Sequence, residues 1–307
     1  MVAAMRLLSS ALAVLAFLLP VIGSASADPG RLPMSGWLSA GLVQRANVID
    51  GRDDRDSLLV LAPSLGLSRE EVGRIRRVSG YVGCLSPSPS VGSGALYLTN
   101  RQVLTAGHIF FERSGRKRSK CFFRNQAAEW MMIDLLLDPA NARFGASPPK
   151  PGSNDDWAIV RLVEPIPGAE PFPIAEASPV AAGDRLIVVT AHPAGMEKEV
   201  DKAVPVAQGC TIRRAPVSSA ATSFYRTDCD ASGSSSGGMH LARVDGRLVF
   251  RGMTITTGPW REDRFRGAPY DERTGSETTA LGTDAAVLEA GRSLAGSPVP
   301  AGGAAGP

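Results

Sequence analysis

From Val78 onward, hydrophobic and polar residues alternate in short runs that turn-forming residues separate. The runs richest in apolar and β-branched residues are Gly94–Leu98, Val103–Thr105, Ala158–Val163, Arg185–Thr190, Leu241–Val244 and Arg247–Met253. Such runs predict β-strands, and Asp245-Gly246 between the last two predicts a tight hairpin turn. Many short strands with long loops predict an all-β sandwich or barrel. Periodicity does not decide whether Glu129–Leu137 is a strand or a helix.

The segment before these strands has a different pattern. Residues 28–73 are interpreted as a linker or a propeptide, and Asp28 to about Leu67 is expected to be loosely ordered because no period is sustained there. Ser68 and Glu71 have the spacing of a capping box, which predicts a short helix from Arg69 to about Ile75.

The end of the chain, residues 291–307, consists mostly of Ala, Gly, Pro and Ser, and this composition predicts disorder. The folded domain is therefore predicted to span residues 74–290.

The first residues predict export. Arg6 precedes the apolar run Leu7–Ile22, and the small residues Ala25-Ser26-Ala27 follow, which is the order of a secretory signal with cleavage after Ala27. An uncleaved membrane anchor is the alternative, but Pro20 interrupts a run that is already short for a bilayer span. The mature protein is expected to be secreted or periplasmic.

Four cysteines in an oxidising compartment predict two disulfides. The number of cysteines permits three pairings. We favour Cys84 with Cys121 and Cys210 with Cys229, because each pair brackets one of the candidate catalytic segments described below.

Composition excludes some partners. The 33 basic and 30 acidic residues give a net charge of +3, too balanced to imply nucleic acid as a partner, and nothing supports a membrane role beyond the signal peptide. The sequence contains neither C-x-x-C nor H-E-x-x-H, so no metal site is predicted.

Only three histidines, His108, His192 and His240, are available as an imidazole base. His108 follows the predicted hairpin that ends at Leu104, whereas His192 is interpreted as a loop residue. Asp155 and Asp156 precede a predicted buried strand, where a carboxylate needs a partner such as His108. The carboxylate would fix the tautomer of the imidazole, so that the other ring nitrogen can accept a proton. The pattern leaves both aspartates open for this role.

The third candidate segment, Cys229–Gly238, consists almost entirely of small residues. It is either a flexible linker or a tight turn whose backbone amides converge on an oxyanion. Ser235 formally fits a G-x-S-x-G nucleophile elbow, but that class needs an acid and then a histidine downstream, and only His240 follows. The order acid, His, Ser would require Asp50–Asp56 in the connector. The order His, Asp, Ser agrees with an all-β fold.

Three blocks resemble the trypsin-like, chymotrypsin-fold serine peptidases, especially the secreted bacterial branch that includes glutamyl endopeptidases. Gly92–His108 resembles the histidine block of this family, Asp156–Val160 its acid block, which selects Asp156, and Cys229–Gly238 its serine block, with Ser236 as nucleophile. The resemblance covers roughly residues 78–290. It implies two six-stranded antiparallel β-barrels with the active site in the cleft between them.

The resemblance also implies a mechanism for a serine endopeptidase. Ser236 would attack a peptide carbonyl while His108 removes its proton, Asp156 would stabilise the imidazolium, and the backbone amides of Ser234 and Ser236 would form the oxyanion hole. The expected substrate is a polypeptide, no cofactor is needed, and a monomer is expected. The family usually has Gly at position 234 and Pro at Met239, so a catalytically silent binding module on the same double barrel is the alternative.

Specificity and activation are less constrained. Asp230 occupies the place that forms the base of the primary specificity pocket in trypsin-like relatives, which implies cleavage after Lys or Arg; the equal alternative is a structural Asp beside Cys229. Arg76-Arg77 is a possible processing site. The acid that receives a new amino terminus in trypsin-like zymogens is replaced by Ser235, so that activation switch is not supported. The basic run Arg113–Lys120 is interpreted as a solvated loop.

Overall fold

The computed structural model describes residues 47–126, 132–175, 180–191, 193, 196, 200–215, 224–257, 266–283 and 285–297. The predicted signal peptide at 1–27, residues 28–46, His192 and residues 298–307 lie outside the described residues.

Strands make up most of the regular secondary structure among the described residues, together with a few helices. In chain order the strands are β1 (Val48–Ile49), β2 (Asp56–Ser57), β3 (Ser79–Ser86), β4 (Ser90–Leu96), β5 (Gln102–Thr105), β6 (Ser119–Asn125), β7 (Met132–Leu136), β8 (Ala142–Phe144), β9 (Ala158–Leu162), β10 (Arg185–Thr190), β11 (Val206–Arg214), β12 (Phe224–Thr227), β13 (Met239–Val244), β14 (Arg247–Thr257), β15 (Arg266–Ala268) and β16 (Thr278–Gly282). The helices are α1 (Leu58–Leu61), α2 (Arg69–Val78) and α3 (Ala285–Gly296), with a 3-10 helix at Gly107–Phe110.

Two closed barrels are formed by these strands. The first contains β5, β4, β3, β6, β7 and β9 in that order, and it closes because β9 pairs with β5. The second contains β10, β13, β14, β16, β12 and β11, and it closes because β11 pairs with β10. In each barrel one further strand is added at the rim, β8 on β9 and β2 on β11. The prediction of two six-stranded antiparallel barrels is confirmed.

The strand β7 resolves the ambiguous segment Glu129–Leu137 from Met132 onward, and residues 129–131 lie outside the described residues. Its exposed and buried residues alternate, with Ile133 and Leu135 facing the core and Met132 and Asp134 facing solvent. This period of two is that of a strand with one solvated face. It pairs with β6 and β9, so it is required to close the first barrel.

The expectation of a loosely ordered connector is wrong for residues 47–67. The strand β1 pairs with β15, β2 pairs with β11, and Leu58 at the start of α1 is fully buried. Elements of two to four residues are too short to produce a period in the sequence, and only their tertiary partners make them visible.

The helix α2 confirms the capping-box prediction. The Ser68 hydroxyl accepts a hydrogen bond from the Glu71 amide at 3.1 Å, and the Glu71 carboxylate accepts one from the Ser68 amide at 2.8 Å. The helix extends to Val78 because Ile75 and Val78 are fully buried against the barrel core.

The prediction of disorder from residue 291 is wrong for residues 291–297. The helix α3 continues to Gly296, Leu294 is fully buried, and the Gln102 side chain donates a 2.9 Å hydrogen bond to the Gly291 carbonyl. The Arg161 guanidinium on β9 also donates to carbonyls at the end of this helix. The buried positions Val287, Leu288, Gly291 and Leu294 recur at helical spacing, a signal that the Ala- and Gly-rich composition obscures.

Both disulfides have the favoured pairing. Cys84 on β3 is bonded to Cys121, which lies directly opposite it on β6. Cys210 on β11 is bonded to Cys229, which follows β12. None of the described helices is long and apolar enough to cross a membrane.

Candidate active site

Pairing between β5 and β9 brings His108 and Asp156 together. His108 lies in the 3-10 helix that follows β5, Asp156 lies two residues before β9, and Thr105 is directly opposite Ala158 in the ladder. His108 Nδ1 is 2.8 Å from Asp156 Oδ2, and the His108 amide donates to Asp156 Oδ1 at 2.8 Å. The carboxylate therefore holds both the ring and the backbone of this histidine.

Asp156 is fully buried, and its hydrogen bonds replace the water that burial removes. Besides the two bonds from His108, Oδ2 accepts one from the Gly152 amide at 2.7 Å. The His108 side chain is 26% exposed, so the edge of the ring that faces away from Asp156 is accessible. Asp155, the alternative candidate, is exposed to solvent.

The turn that carries Ser236 connects β12 to β13 in the second barrel and packs against the first barrel. The Ser236 carbonyl accepts a hydrogen bond from the Ser93 amide on β4 at 2.7 Å. Gly237 approaches so closely that a Cβ at this residue would lie 2.0 Å from the Ser93 carbonyl oxygen and 2.4 Å from Thr105 Oγ1. Thr105 is three residues before His108, so Ser236 is held at the boundary between the barrels on the side of the imidazole.

The Ser236 hydroxyl is not hydrogen-bonded to the His108 ring in the described structure. Contacts of this kind are often long in a free enzyme and shorten when substrate binds. Ser236 itself is partly exposed, whereas its neighbours Ser235 and Gly237 are buried.

The backbone around Ser234 departs from that of an ordinary serine. Its φ is +71°, in the left-handed region, which costs a residue with a side chain on the order of 1 kcal/mol relative to glycine. Its carbonyl accepts a 2.7 Å hydrogen bond from Ser93 Oγ. Among the described residues, no protein acceptor receives the amides of Ser234 and Ser236. Both amides are therefore available to an oxyanion.

Ser93 is a residue that sequence reasoning included in the histidine block without giving it a role. Its amide and its hydroxyl bind the carbonyls of Ser236 and Ser234, both at 2.7 Å, and its own carbonyl accepts from Thr105 Oγ1 at 2.6 Å. These bonds join the turn that carries Ser236, in the second barrel, to β4 and β5 of the first.

Asp230 is buried, and both oxygens of its carboxylate are occupied. Oδ1 accepts from the Ile49 amide and Oδ2 from the Asp54 amide, each at 2.8 Å. Burial raises the pKa of this carboxyl to about 7. These contacts are those of a structural residue. The sequence had favoured this interpretation and the specificity-pocket interpretation equally. A role as base of the specificity pocket stays a prediction.

The raised pKa of Asp230 has a consequence for stability. A carboxyl in the unfolded chain titrates near pH ~4, so between about pH 4 and 7 the folded protein binds more protons at this group than the unfolded chain does. Its contribution to the free energy of unfolding therefore declines as the pH rises through that window, by up to ~1.4 kcal/mol per pH unit.

Asp230→Asn removes this titration. We expect its free energy of unfolding, measured by urea titration at several pH values, to decline less between about pH 4 and 7 than that of the wild type. Asp155→Asn, at an exposed position, is the control and should follow the wild-type slope. If the free energy of unfolding has the same pH dependence in the wild type and in Asp230→Asn, the raised pKa of Asp230 is contradicted.

The other histidine that the structure describes, His240 on β13, is not hydrogen-bonded to His108, Asp156 or Ser236. His240 is fully buried, with Nδ1 2.8 Å from Tyr225 Oη and Nε2 2.8 Å from Thr254 Oγ1. Burial lowers its pKa to about 3, so the ring is neutral. Ser235 therefore has no exposed downstream histidine among the described residues.

The described residues contain no group of three or more His, Cys, Asp or Glu that could hold a metal ion.

Two closed antiparallel barrels and a partly exposed histidine hydrogen-bonded to a buried aspartate are the features of the chymotrypsin-fold class. The family model described as a trypsin-like peptidase domain matches residues 91–249, slightly more than half of the chain. The chain therefore belongs to the trypsin-like peptidases, and the predicted enzyme class, a serine-type endopeptidase, is confirmed. No curated protein matches the sequence.

Solved structures agree with this fold. A Glu endopeptidase in complex with MPD has a TM-score of 0.55 and 14% identity, covering 81% of this chain and 100% of that one. The thermostable serine protease AL20 from an extremophilic microorganism has a TM-score of 0.51 and 16% identity, covering 71% and 96%. The protease Anisep from Arthrobacter nicotinovorans has a TM-score of 0.50 and 14% identity, covering 71% and 95%. At these identities the likeness shows the fold alone.

Proposed function

We propose that this peptidase is an exported endopeptidase that uses His108, Asp156 and Ser236 as its catalytic triad. The observation that carries the proposal is the 2.8 Å hydrogen bond between His108 Nδ1 and the buried Asp156, at the boundary where the Ser236 turn packs against the first barrel. The other two lines of support are the partial exposure of His108 and Ser236.

Each residue has a defined task in this mechanism. Asp156 keeps the proton of His108 on Nδ1, so that Nε2 is free to accept the proton of the Ser236 hydroxyl as its oxygen attacks the peptide carbonyl. The imidazolium then donates this proton to the leaving amine, and an acyl-enzyme remains on Ser236. Water, activated by the same imidazole, attacks the ester and releases the acid product.

The amides of Ser234 and Ser236 form the oxyanion hole in this proposal. Ser93 binds the carbonyls of the same two residues and so anchors the backbone on both sides of Ser235. Neither amide has a protein acceptor in the described structure. Loss of one such donor typically costs about 3 kcal/mol of transition-state stabilisation.

Export is supported by the signal-like first residues and by the two disulfides, which persist in oxidising compartments. We therefore propose a secreted or periplasmic enzyme, cleaved near Ala27 and monomeric. Its substrate is a polypeptide, and a preference for Lys or Arg through Asp230 stays a prediction.

The second candidate function is a silent binding module on the same fold. Two features of Ser234 favour it: a side chain at a position whose φ of +71° suits glycine, and a buried hydroxyl without a partner in the described structure.

A fluorophosphonate probe, which reacts only with an activated serine, separates these functions. We expect labelling of the wild-type protein and its complete loss in Ser236→Ala, since the alanine has no oxygen to react. Ser235→Ala is the matched control from the same turn. Because it keeps the Ser236 hydroxyl, labelling should still reach completion, although the lost hydrogen bond from the Ser232 amide to Ser235 Oγ should slow it. Loss of labelling only in Ser235→Ala would support a nucleophile elbow, and an unlabelled but folded wild type would support the silent module.

A further inference from the structure

The segment 47–55 binds Asp230, Ala231 and Ser232, which precede Ser236 in the connection between β12 and β13. Both carboxylate oxygens of Asp230 accept backbone amides from this segment. Ala231 exchanges two backbone hydrogen bonds with Asn47, of 2.6 and 3.0 Å. The Ser232 hydroxyl accepts one from Arg55 at 2.7 Å. Three consecutive residues are thus anchored on the same short segment.

Arg55 is the most unusual of these contacts, because it is a charged side chain that is only 1% exposed. Its Nε and one terminal nitrogen donate to the two oxygens of Asp53, both at 2.8 Å, and the other terminal nitrogen donates to Ser232. The planar guanidinium makes all three bonds at once, a geometry that a lysine ammonium does not reproduce. Asp53 therefore fixes the guanidinium, and the guanidinium fixes Ser232.

Ser232 transmits this position to the nucleophile. Its amide donates to Ser235 Oγ at 3.1 Å, and the Ser235 amide donates back to the Ser232 carbonyl at 3.0 Å. Ser235 is directly bonded to Ser236. A continuous chain of hydrogen bonds thus leads from Asp53 through Arg55, Ser232 and Ser235 to the residue that precedes Ser236.

We infer that Arg55 is a positioning residue for Ser236, and that the segment 47–57 is a permanent part of the active enzyme, not a propeptide that is removed. This inference rests on the proposed role of Ser236 as nucleophile. Removal of the segment would break all the hydrogen bonds that it makes to Asp230, Ala231 and Ser232. It would also leave the buried carboxylate of Asp230 without the two amides that bind it.

Two substitutions in the full chain test the positioning role. Ser232→Ala removes the acceptor of Arg55, and Arg55→Lys keeps the charge beside Asp53 but loses the fork. For both we expect kcat on a peptide ester, per folded molecule, and the rate of fluorophosphonate labelling to fall about 10- to 100-fold, with KM changed little. The double variant should be no slower than the slower single variant, because both substitutions remove the same contact, the hydrogen bond from Arg55 to Ser232.

Arg243→Met is the matched control for destabilisation. It breaks a partly buried ion pair with Glu71 (2.9 Å) at the hairpin end of β13, the end of the strand that is farther from Ser236, and should lower the melting temperature without changing kcat per folded molecule. If Ser232→Ala and Arg55→Lys behave like this control, Arg55 is only structural and the inference is wrong. In that case the wild type still labels at Ser236, whereas labelling that survives in Ser236→Ala would overturn the proposed function itself.

The mass and amino-terminal sequence of the labelled wild-type protein test the second part. We expect the labelled form to retain residues 47–77. A labelled form that begins at Val78, after the dibasic Arg76-Arg77, and lacks the segment would overturn the inference.

Discussion

Asp156→Asn is expected to lower kcat about 10⁴-fold while leaving the fold intact. Asparagine has the same shape as aspartate, but only one of its two terminal atoms accepts hydrogen bonds. The carboxylate accepts from His108 Nδ1, from the His108 amide and from the Gly152 amide. An amide group facing Nδ1 would donate to it and so place the ring proton on Nε2, where it blocks acceptance of the Ser236 proton.

Steady-state kinetics on a peptide ester and the rate of fluorophosphonate labelling measure this effect. Asp155→Asn is the matched control, because it makes the same chemical change one residue away at an exposed position. We expect its kcat to stay near that of the wild type. A similar loss in both variants, or a loss of less than about tenfold in Asp156→Asn, would contradict the assignment of the triad acid.

Gly237→Ala is expected to reduce both activity and stability, because the turn that carries Ser236 has no room for a side chain at this position. The added Cβ would lie 2.0 Å from the Ser93 carbonyl oxygen and 2.4 Å from Thr105 Oγ1, and the φ of +82° disfavours alanine. The turn must then move away from β4 and β5. A displacement of about 1 Å costs on the order of 100-fold in rate, and overpacking adds about 1–3 kcal/mol to the strain of the backbone.

Gly246→Ala isolates the contribution of the close contact. Gly246 has a similar φ of +77° in the β13–β14 hairpin, but a Cβ there meets nothing within 4 Å. Its cost should be limited to the left-handed backbone, about 1 kcal/mol of unfolding free energy, with unchanged kcat. Equal losses of stability and activity in the two variants would show that close packing between the turn and the first barrel is unimportant.

The sequence predicted the strands and the candidate catalytic residues because both depend on local patterns. Alternating residues specify a strand with one buried face, as in β7, and the capping box specifies the start of α2. His108 and Asp156 were recognisable because each adjoins a strand, and those two strands pair with each other. The order of the three blocks then identified the fold.

Other features were missed because their signal is weak or their partners are distant. The helix α3 has a helical pattern of buried residues, but its Ala- and Gly-rich composition resembles that of a disordered tail. Ser93 is an ordinary small residue in a strand until the turn of the second barrel packs on it. Its hydroxyl binds the carbonyl of Ser234, 141 residues away in the sequence.

By itself, the sequence determined the strands, the histidine, acid and serine blocks, and the capped helix, because residues close together in the chain define these features. Only the tertiary structure decided that residues 47–57 are an ordered part of the fold. Nothing in the local sequence distinguishes Arg55 from a solvated arginine, and its partner Ser232 is 177 residues away. Folding of the second barrel buries the guanidinium against that serine, and this contact is the basis of the proposed role of Arg55 in positioning Ser236.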